Sequence, residues 1–389
     1  MVQTSSYAPT YLPLFHTYQE EFLHRLATLV NIDSGTGQVA GVTSIMTYLE
    51  QWLRELDFAV TLHPGASFGP NLVARRKGSG QKRILLVGHV DTVYTAGSAQ
   101  ARPFVVQDGL AYGPGVIDMK SGVLLCIYAL RALLEAGFDG YGELIVVFNN
   151  DEEVGSPGSA PLLRDIARQA EVGLVLEPSR ALKVLTQSRK GSDKYVLEVT
   201  GIAAHSGVEP YKGRSAVVDL AHKIIAIQNL HAIFPGVTFN VTRLSSTEPL
   251  NIVPDMARCH ISVRAFSTRA LDEARAALET IVAASSVPGT RAALTYNPGR
   301  RPYEPTPGIM ALFSHARVEG EALGLQMVAE AKGGVSDANT LIEAGISALD
   351  SLGPIGGSMH NLELEYLRVE SIPLRGALLA GLVQRICLS

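Results

Sequence analysis

A short and wholly apolar run, Ile84-Leu85-Leu86-Val87, ends abruptly in Gly88-His89-Val90-Asp91-Thr92, and this junction constrains the fold more than any other stretch. Aliphatic residues without polar alternation predict a strand covered on both faces, as in the middle of a parallel sheet. Such strands deliver polar residues to the C-terminal edge of the sheet, where α/β folds keep their chemistry. His89 and Asp91, two residues apart, then stand on one side of the chain. A histidine held against a carboxylate can ligate a metal while the carboxylate fixes its tautomer. The same residues also read as a turn with a capping aspartate and an incidental histidine.

The rest of the chain repeats the pattern. Helical spacing covers about Tyr18 to Val30 and Gly41 to Leu56, and strand character covers Phe58–Leu62 and Asn71–Arg76. Val105–Tyr112 reads as one further extended stretch, followed by the loop Gly113-Pro114-Gly115-Val116-Ile117-Asp118 and a helix over Val123–Leu134 that stops at Gly137. Asp118, at a loop-to-helix junction, suits a helix cap as well as a ligand. The apolar strand Glu143–Phe148 runs into Asn149-Asn150-Asp151-Glu152-Glu153, and the strand Val172–Leu176 runs into Glu177. Three successive acids repel one another unless protons, cations or solvent relieve them, so a solvated acidic turn is the alternative here. Strand after strand thus brings carboxylates and a histidine to one sheet edge, the convergence a binuclear metal site requires.

From about Arg189 the character changes. Tyr195–Thr200 alternates like an antiparallel strand with one wet face, and the order β-α-β-β-α-β up to Tyr296 is that of a ferredoxin-like unit. We read three segments: 1–188 and 299–389 as one α/β domain with a mainly parallel sheet flanked by helices, and 189–298 as an α+β insertion. His360 follows in the Gly-rich loop Ser351–Asn361, and a closing helix spans about Val369 to Ile386.

Composition excludes some functions. With 33 basic against 37 acidic residues the net charge is −4, which offers nucleic acid no basic face. No stretch is apolar for long enough to span a bilayer. Residues 1–10 lack a basic start and an apolar core, and Cys126, Cys259 and Cys387 are scattered in apolar segments, which points to reduced thiols and a cytoplasmic setting.

Six motifs in order, Gly-His-Val-Asp-Thr at 88–92, Gly-Pro-Gly-Val-Ile-Asp-Met-Lys at 113–120, Asp-Glu-Glu-Val-Gly-Ser at 151–156, Glu-Pro at 177–178, Ala-His-Ser-Gly at 204–207 and the His360 loop, carry a resemblance. The chain resembles the dizinc amidohydrolases and exopeptidases that include glutamate carboxypeptidases, acetylornithine deacetylases, succinyl-diaminopimelate desuccinylases and aminoacylases. The resemblance implies two Zn²⁺ ions, with Co²⁺ or Mn²⁺ as alternatives, and an inserted domain that acts as lid and mediates homodimerisation. It implies that Asp118 bridges the metals, that His89 and Glu177 complete one site, and that Glu153 and His360 complete the other. Glu152 is then the general base for a water shared between the metals, Asp91 the residue that orients His89, and His205 the lid histidine that in a dimer reaches into the partner's active site and donates to the oxyanion.

Within that family the chain looks nearest to the glutamate carboxypeptidases, through Asp-Ser-Leu-Gly at 350–353 and the Gly333-Gly334-Val335-Ser336-Asp337 run. By resemblance Asn251, Arg264 and Arg301, with Gly333 and Gly334, would hold a substrate's terminal carboxylate. Arg264 also suits an ordinary strand salt bridge, and Ser245–Leu250 lacks the glycines often found before the asparagine. The expected activity is release of a C-terminal amino acid, glutamate in the first instance, from a small N-acyl or short-peptide substrate. An N-acyl amino acid deacylase and a silent ligand-binding dimer are the alternatives.

Overall fold

In the computed structural model of the chain, residues 6–247 and 249–389 are described. The chain runs α1 (Ala8–Val30), α2 (Val39–Arg54), β1 (Ala59–His63), β2 (Asn71–Lys77), β3 (Arg83–His89), α3 (Ser98–Ala101), β4 (Val105–Gln107) and β5 (Leu110–Tyr112). It continues through α4 (Ser121–Glu135), β6 (Glu143–Asn149), α5 (Ala160–Ala167), β7 (Val172–Val175), β8 (Val184–Arg189), β9 (Gly191–Thr200), α6 (Ala216–Ile233) and β10 (Thr238–Ser246). Then follow β11 (Met256–Ala265), α7 (Thr268–Ala283), β12 (Arg291–Pro298), α8 (Pro307–Ala322), β13 (Val328–Lys332), α9 (Asp337–Glu343), β14 (Ser347–Leu349), β15 (Gly356–Gly357), β16 (Tyr366–Arg368) and α10 (Ser371–Cys387).

The chain divides into two compact units. The first comprises Met1–Gln187, Pro305–Ala331 and Ser336–Ser389; the second comprises Ser188–Glu304 and Lys332–Val335. In the first, six strands lie in the order β1-β2-β6-β3-β7-β14, with β6, β3, β7 and β14 parallel and β2 and β1 antiparallel at one edge. The sheet is therefore mainly parallel, and β3 sits in its interior as its unbroken apolar run requires. The register aligns His89 with Asn149 and Val87 with Val175, so the trailing ends of β3, β6 and β7 leave the sheet along one edge.

Helix α4 is buried almost throughout and packs against α1 and α10. Two glycines permit the closest approaches: a Cβ on Gly376 would lie 2.0 Å from the Phe15 ring, and one on Gly122 would lie 2.2 Å from the Leu176 carbonyl oxygen. Helix α1 starts ten residues before the expected Tyr18. Pro9 occupies its first turn, where no N–H is required, and Tyr11, Phe15, Tyr18, Phe22 and Leu26 form one buried stripe at spacings of three and four. The stretch Val105–Tyr112 is not one strand but the hairpin β4–β5. Asp108 and Gly109 both take positive φ, at 51° and 77°, the conformation of a two-residue hairpin turn.

The second unit has its own core. Its four antiparallel strands lie in the order β10-β11-β9-β12, and α6 and α7 supply apolar residues to one face. In chain order the strands run 2-3-1-4 across the sheet, the ferredoxin-like arrangement. The sequence alternation in β9 holds: Tyr195, Leu197 and Val199 are buried, while Lys194, Glu198 and Thr200 are exposed. Cys126 and Cys259 are buried and Cys387 half-buried, all three as free thiols. No helix among the described residues is long and apolar enough to cross a membrane.

Candidate active site

The edge where β3, β6 and β7 end carries the chemistry. His89 closes β3 with its ring buried. Its Nδ1 lies 2.9 Å from the main-chain oxygen of Asp91 and 3.4 Å from Asp91 Oδ1. That contact puts the proton on Nδ1 and turns the Nε2 lone pair outward, 3.2 Å from Asp118 Oδ1 and 3.8 Å from Glu177 Oε1. Asp118 follows the left-handed Gly115, and its other oxygen, Oδ2, lies 3.3 Å from His360 Nε2. His360 Nε2 is also 3.3 Å from Glu153 Oε2. One carboxylate thus faces a histidine with each of its oxygens.

Two groups of donors result. Ligand atoms of His89, Glu152 and Glu177 lie within 4.8 Å of one another, and so do those of Asp118, Glu153 and His360. Carboxylate oxygens and imidazole nitrogens in this mixture suit Zn²⁺, Co²⁺ or Mn²⁺. The residues fit such ions on a further count. His89 Nε2, Asp118 Oδ1 and Glu153 Oε1 are buried without a hydrogen-bond partner among the described residues, the first two lying off hydrogen-bond alignment at their 3.2 Å separation. Buried polar atoms left in that state are costly unless a cation takes them up.

Electrostatics point the same way. Burial would lower the His89 pKa, yet the Asp118 and Asp91 carboxylates raise it well above the usual imidazole range. Asp118 and Glu153 push His360 up to about 10. Burial and the Asp118 charge push the Glu153 carboxyl up, while burial of Asp118 is outweighed by His360 and His89, which hold its carboxyl well below the usual range. Protons gather where divalent cations would otherwise sit.

Supporting residues hold this geometry. The Asp91 carboxylate accepts from Thr36 Oγ1 at 2.7 Å and from the main-chain N–H groups of Glu152 and Glu153 at 3.0 and 3.2 Å. It therefore ties the end of β3 to the short helical turn that presents both glutamates. Asp151, the first of the three acids, turns inward and accepts from the N–H of Gly158 at 2.6 Å and of Ser159 at 3.3 Å. Only two of the three acids face the metal groups, which lessens the mutual repulsion expected of the run. Below them Asp337 accepts from Asn149 Nδ2 at 2.7 Å and Ser156 Oγ at 2.8 Å.

Sequence reading passed over Thr36 and Glu365. Glu365 is 1% exposed and accepts from the N–H groups of Gly115, Ile117 and Asp118 at 3.2, 3.0 and 3.2 Å, and from the Tyr94 hydroxyl. Its partners are main-chain groups some 250 residues away, which no local pattern encodes. The only signal is its place five residues after His360.

The remaining candidates belong to the second unit. His205 pairs through its main chain with Ile252, and Ser206 N–H donates to Asn251 O at 2.9 Å, so His205 and Asn251 are neighbours. The exposed His205 ring accepts at Nδ1 from the N–H groups of Gly207 and Val208, both at 3.2 Å, which leaves Nε2 protonated as a donor. Arg264, on the exposed face of β11, brings Nη1 to 3.5 Å from Gly333 O. Arg189 Nη1 donates to the oxygens of Gly334 and Val335 at 3.1 and 3.4 Å. Arg301 lies half-buried beyond the end of β12. Glu248, in the stretch before Asn251, and residues 1–5 lie outside the described residues.

A model of the peptidase family M20/M25/M40 matches residues 85–385, which include every one of these donors. The chain belongs to that family. It is 32% identical over 369 residues to carboxypeptidase G2 of Pseudomonas sp. strain RS-16, covering 94% of this chain and 89% of that protein. It is 27% identical over 334 residues to the succinyl-diaminopimelate desuccinylase of Thioalkalivibrio sulfidiphilus, covering 80% and 85%. The fold matches that of the aminopeptidase PepT from Bacillus cereus with a TM-score of 0.81 at 22% identity, over 95% of this chain and 98% of the other. It also matches Bacillus subtilis YXEP, described as a dinuclear metal binding peptidase, with a TM-score of 0.72 at 16% identity, over 96% and 99%. The protein is a hydrolase of the M20 peptidase and amidohydrolase group.

Proposed function

We propose that this M20 hydrolase is a dizinc carboxypeptidase that cleaves the amide bond to a C-terminal amino acid, glutamate first, in a small N-acyl or short-peptide substrate. The observation that carries the reading is the Asp118 carboxylate, with one oxygen 3.2 Å from His89 and the other 3.3 Å from His360. Asp118 would bridge two zinc ions, His89 and Glu177 completing one site and Glu153 and His360 the other. Zinc bound there would acidify water and polarise the scissile carbonyl.

The chain's own residues do the rest. Glu152 takes the proton of the attacking water and returns it to the leaving nitrogen, which conserves protons over the cycle. Asp91 orients His89 and anchors the turn carrying Glu152. In the homodimer His205 would serve the partner's site, where its Nε2–H would donate to the developing oxyanion, a role its tautomer supports. Arg264 and Arg301, with Asn251 and the Gly333-Gly334 backbone, would bind the terminal carboxylate, for which an arginine fork is suited. The 32% identity to carboxypeptidase G2 over most of both chains supports the carboxypeptidase assignment.

We further read the protein as a cytoplasmic homodimer paired through the second unit. Its helix α6 leaves Val218, Ile225 and Ile233 exposed at 46%, 61% and 64%, and β10 is an edge strand. The deciding assay offers zinc-loaded protein a matched set of N-acyl glutamates, N-succinyl and N-acetyl basic amino acids, and dipeptides, with Glu152→Gln as the control. Selective release of glutamate, lost by about 10²-fold or more in a metal-replete Glu152→Gln variant, is expected. Selective turnover of the succinyl or acetyl compounds would replace the substrate assignment with the deacylase one.

A further inference from the structure

The two donor groups are built differently. His89 and Glu177 emerge from the ends of the interior strands β3 and β7, and the main-chain oxygen of Glu177 accepts from Gly353 N–H at 3.0 Å. Glu153 hangs from a turn fixed by Asp91. Asp118 and His360 instead come from the segments that follow the short strands β5 and β15, outside the six-stranded sheet, and both segments converge on Glu365, which directly precedes β16.

On one side, the Glu365 carboxylate takes the N–H groups of Gly115, Ile117 and Asp118, which fixes the main chain at Asp118 itself. On the other, Glu365 closes the turn that begins at His360: its N–H donates to Asn361 O at 2.8 Å, and Asn361 Oδ1 accepts from Glu363 and Leu364 N–H at 3.2 Å each. The Tyr94 hydroxyl, on the loop after β3, donates to the same carboxylate. A buried anion that satisfies three main-chain donors and a phenol is a stiff joint, because each of those groups would pay for desolvation without it.

We propose that Glu365 is a positioning residue that holds Asp118 and His360 in register and so governs the second metal position, which would take both of them, more than the first, which would take Asp118 alone of the two. This rests on the dizinc reading and deepens it. A glutamine at 365 presents one acceptor oxygen and turns an amide N–H toward a main-chain N–H. The Asp118 segment and the His360 turn then lose their shared carboxylate and keep only the β5–β16 pairing in common, while β3 and β7 keep their places in the six-stranded sheet.

The test titrates metal-free wild type and Glu365→Gln with Co²⁺, reading stepwise affinity by calorimetry and the ligand-field spectrum of each equivalent. The variant is expected to take the first equivalent within about threefold of wild type and the second about tenfold or more weaker, a loss of about 1.4 kcal/mol. The second-equivalent spectrum should change. Two equivalents bound as in wild type, or both weakened alike, would overturn the proposal. Should Glu365→Gln fail to fold, Tyr94→Phe decides: it removes one donor, and a second step weakened by severalfold with the first unchanged is expected, whereas no change overturns. Wild type that binds fewer than two ions would defeat the dizinc reading itself, an outcome distinct from a wild type that binds two and a variant that binds them equally well.

Discussion

At the residue scale, the site is a competition between protons and cations for the same lone pairs. His360 is raised to about 10 by Asp118 and Glu153, and His89 is raised by Asp118 and Asp91 against the pull of burial. A folded-state pKa above the unfolded imidazole value of about 6.5 stabilises the metal-free protein below that pH, and the contribution is lost as pH rises through about 10. Cation binding needs the neutral imidazole and expels its proton. Two results are expected. Loading metal-free protein at pH 7 with Zn²⁺ should acidify a weakly buffered solution by about one proton or more per pair of ions, and apparent affinity should rise about tenfold per pH unit for each proton displaced. Uptake without proton release, measured by calorimetry in buffers of different ionisation enthalpy, would contradict the geometry.

At the scale of elements, what was legible in the sequence and what was not divide along physical lines. His89, Glu153 and Glu177 were legible because apolar strands announce where they end, and polar residues just beyond are conspicuous. Asp118 and His360 were legible from Gly-rich loops only once the other motifs stood beside them. Asp151 belonged visibly to the acidic run, yet nothing local foretold that it would turn inward to cap Gly158 and Ser159. The hairpin at Asp108-Gly109 carried its turn signal in those two residues, but the apolar stretch around it masked the break. Packing of α4 on the end of β7 was illegible, and it yields a sign-reversed expectation. An alanine in place of glycine in a helix ordinarily stabilises by about 1 kcal/mol. At Gly122 the added Cβ would meet Leu176 O at 2.2 Å, next to Glu177, so Gly122→Ala should destabilise by about 1–3 kcal/mol in urea unfolding. A stabilised variant would mean that α4 and the Glu177 edge are not in contact.

At the scale of the whole molecule, the chain keeps two separate cores. One is formed by α1, α2, α4, α10 and the six-stranded sheet, the other by β9 to β12 with α6 and α7. The proposed metal ligands His89, Asp118, Glu153, Glu177 and His360 and the proposed base Glu152 belong to the first unit, whereas His205, Asn251, Arg264 and Arg301 belong to the second. A ligand stabilises only the unit whose native state binds it, by about 2.7 kcal/mol at a hundredfold excess over Kd. For a unit of this size that converts to roughly 5–10 °C in Tm. Scanning calorimetry with and without a chelator should therefore show two transitions, of which only one moves by that amount on metal removal. Glu153→Ala should abolish most of the shift, and Arg264→Ala should leave it intact. Equal displacement of both transitions, or one transition moving as a whole, would mean that the units unfold as one body and that metal loading is felt throughout the chain.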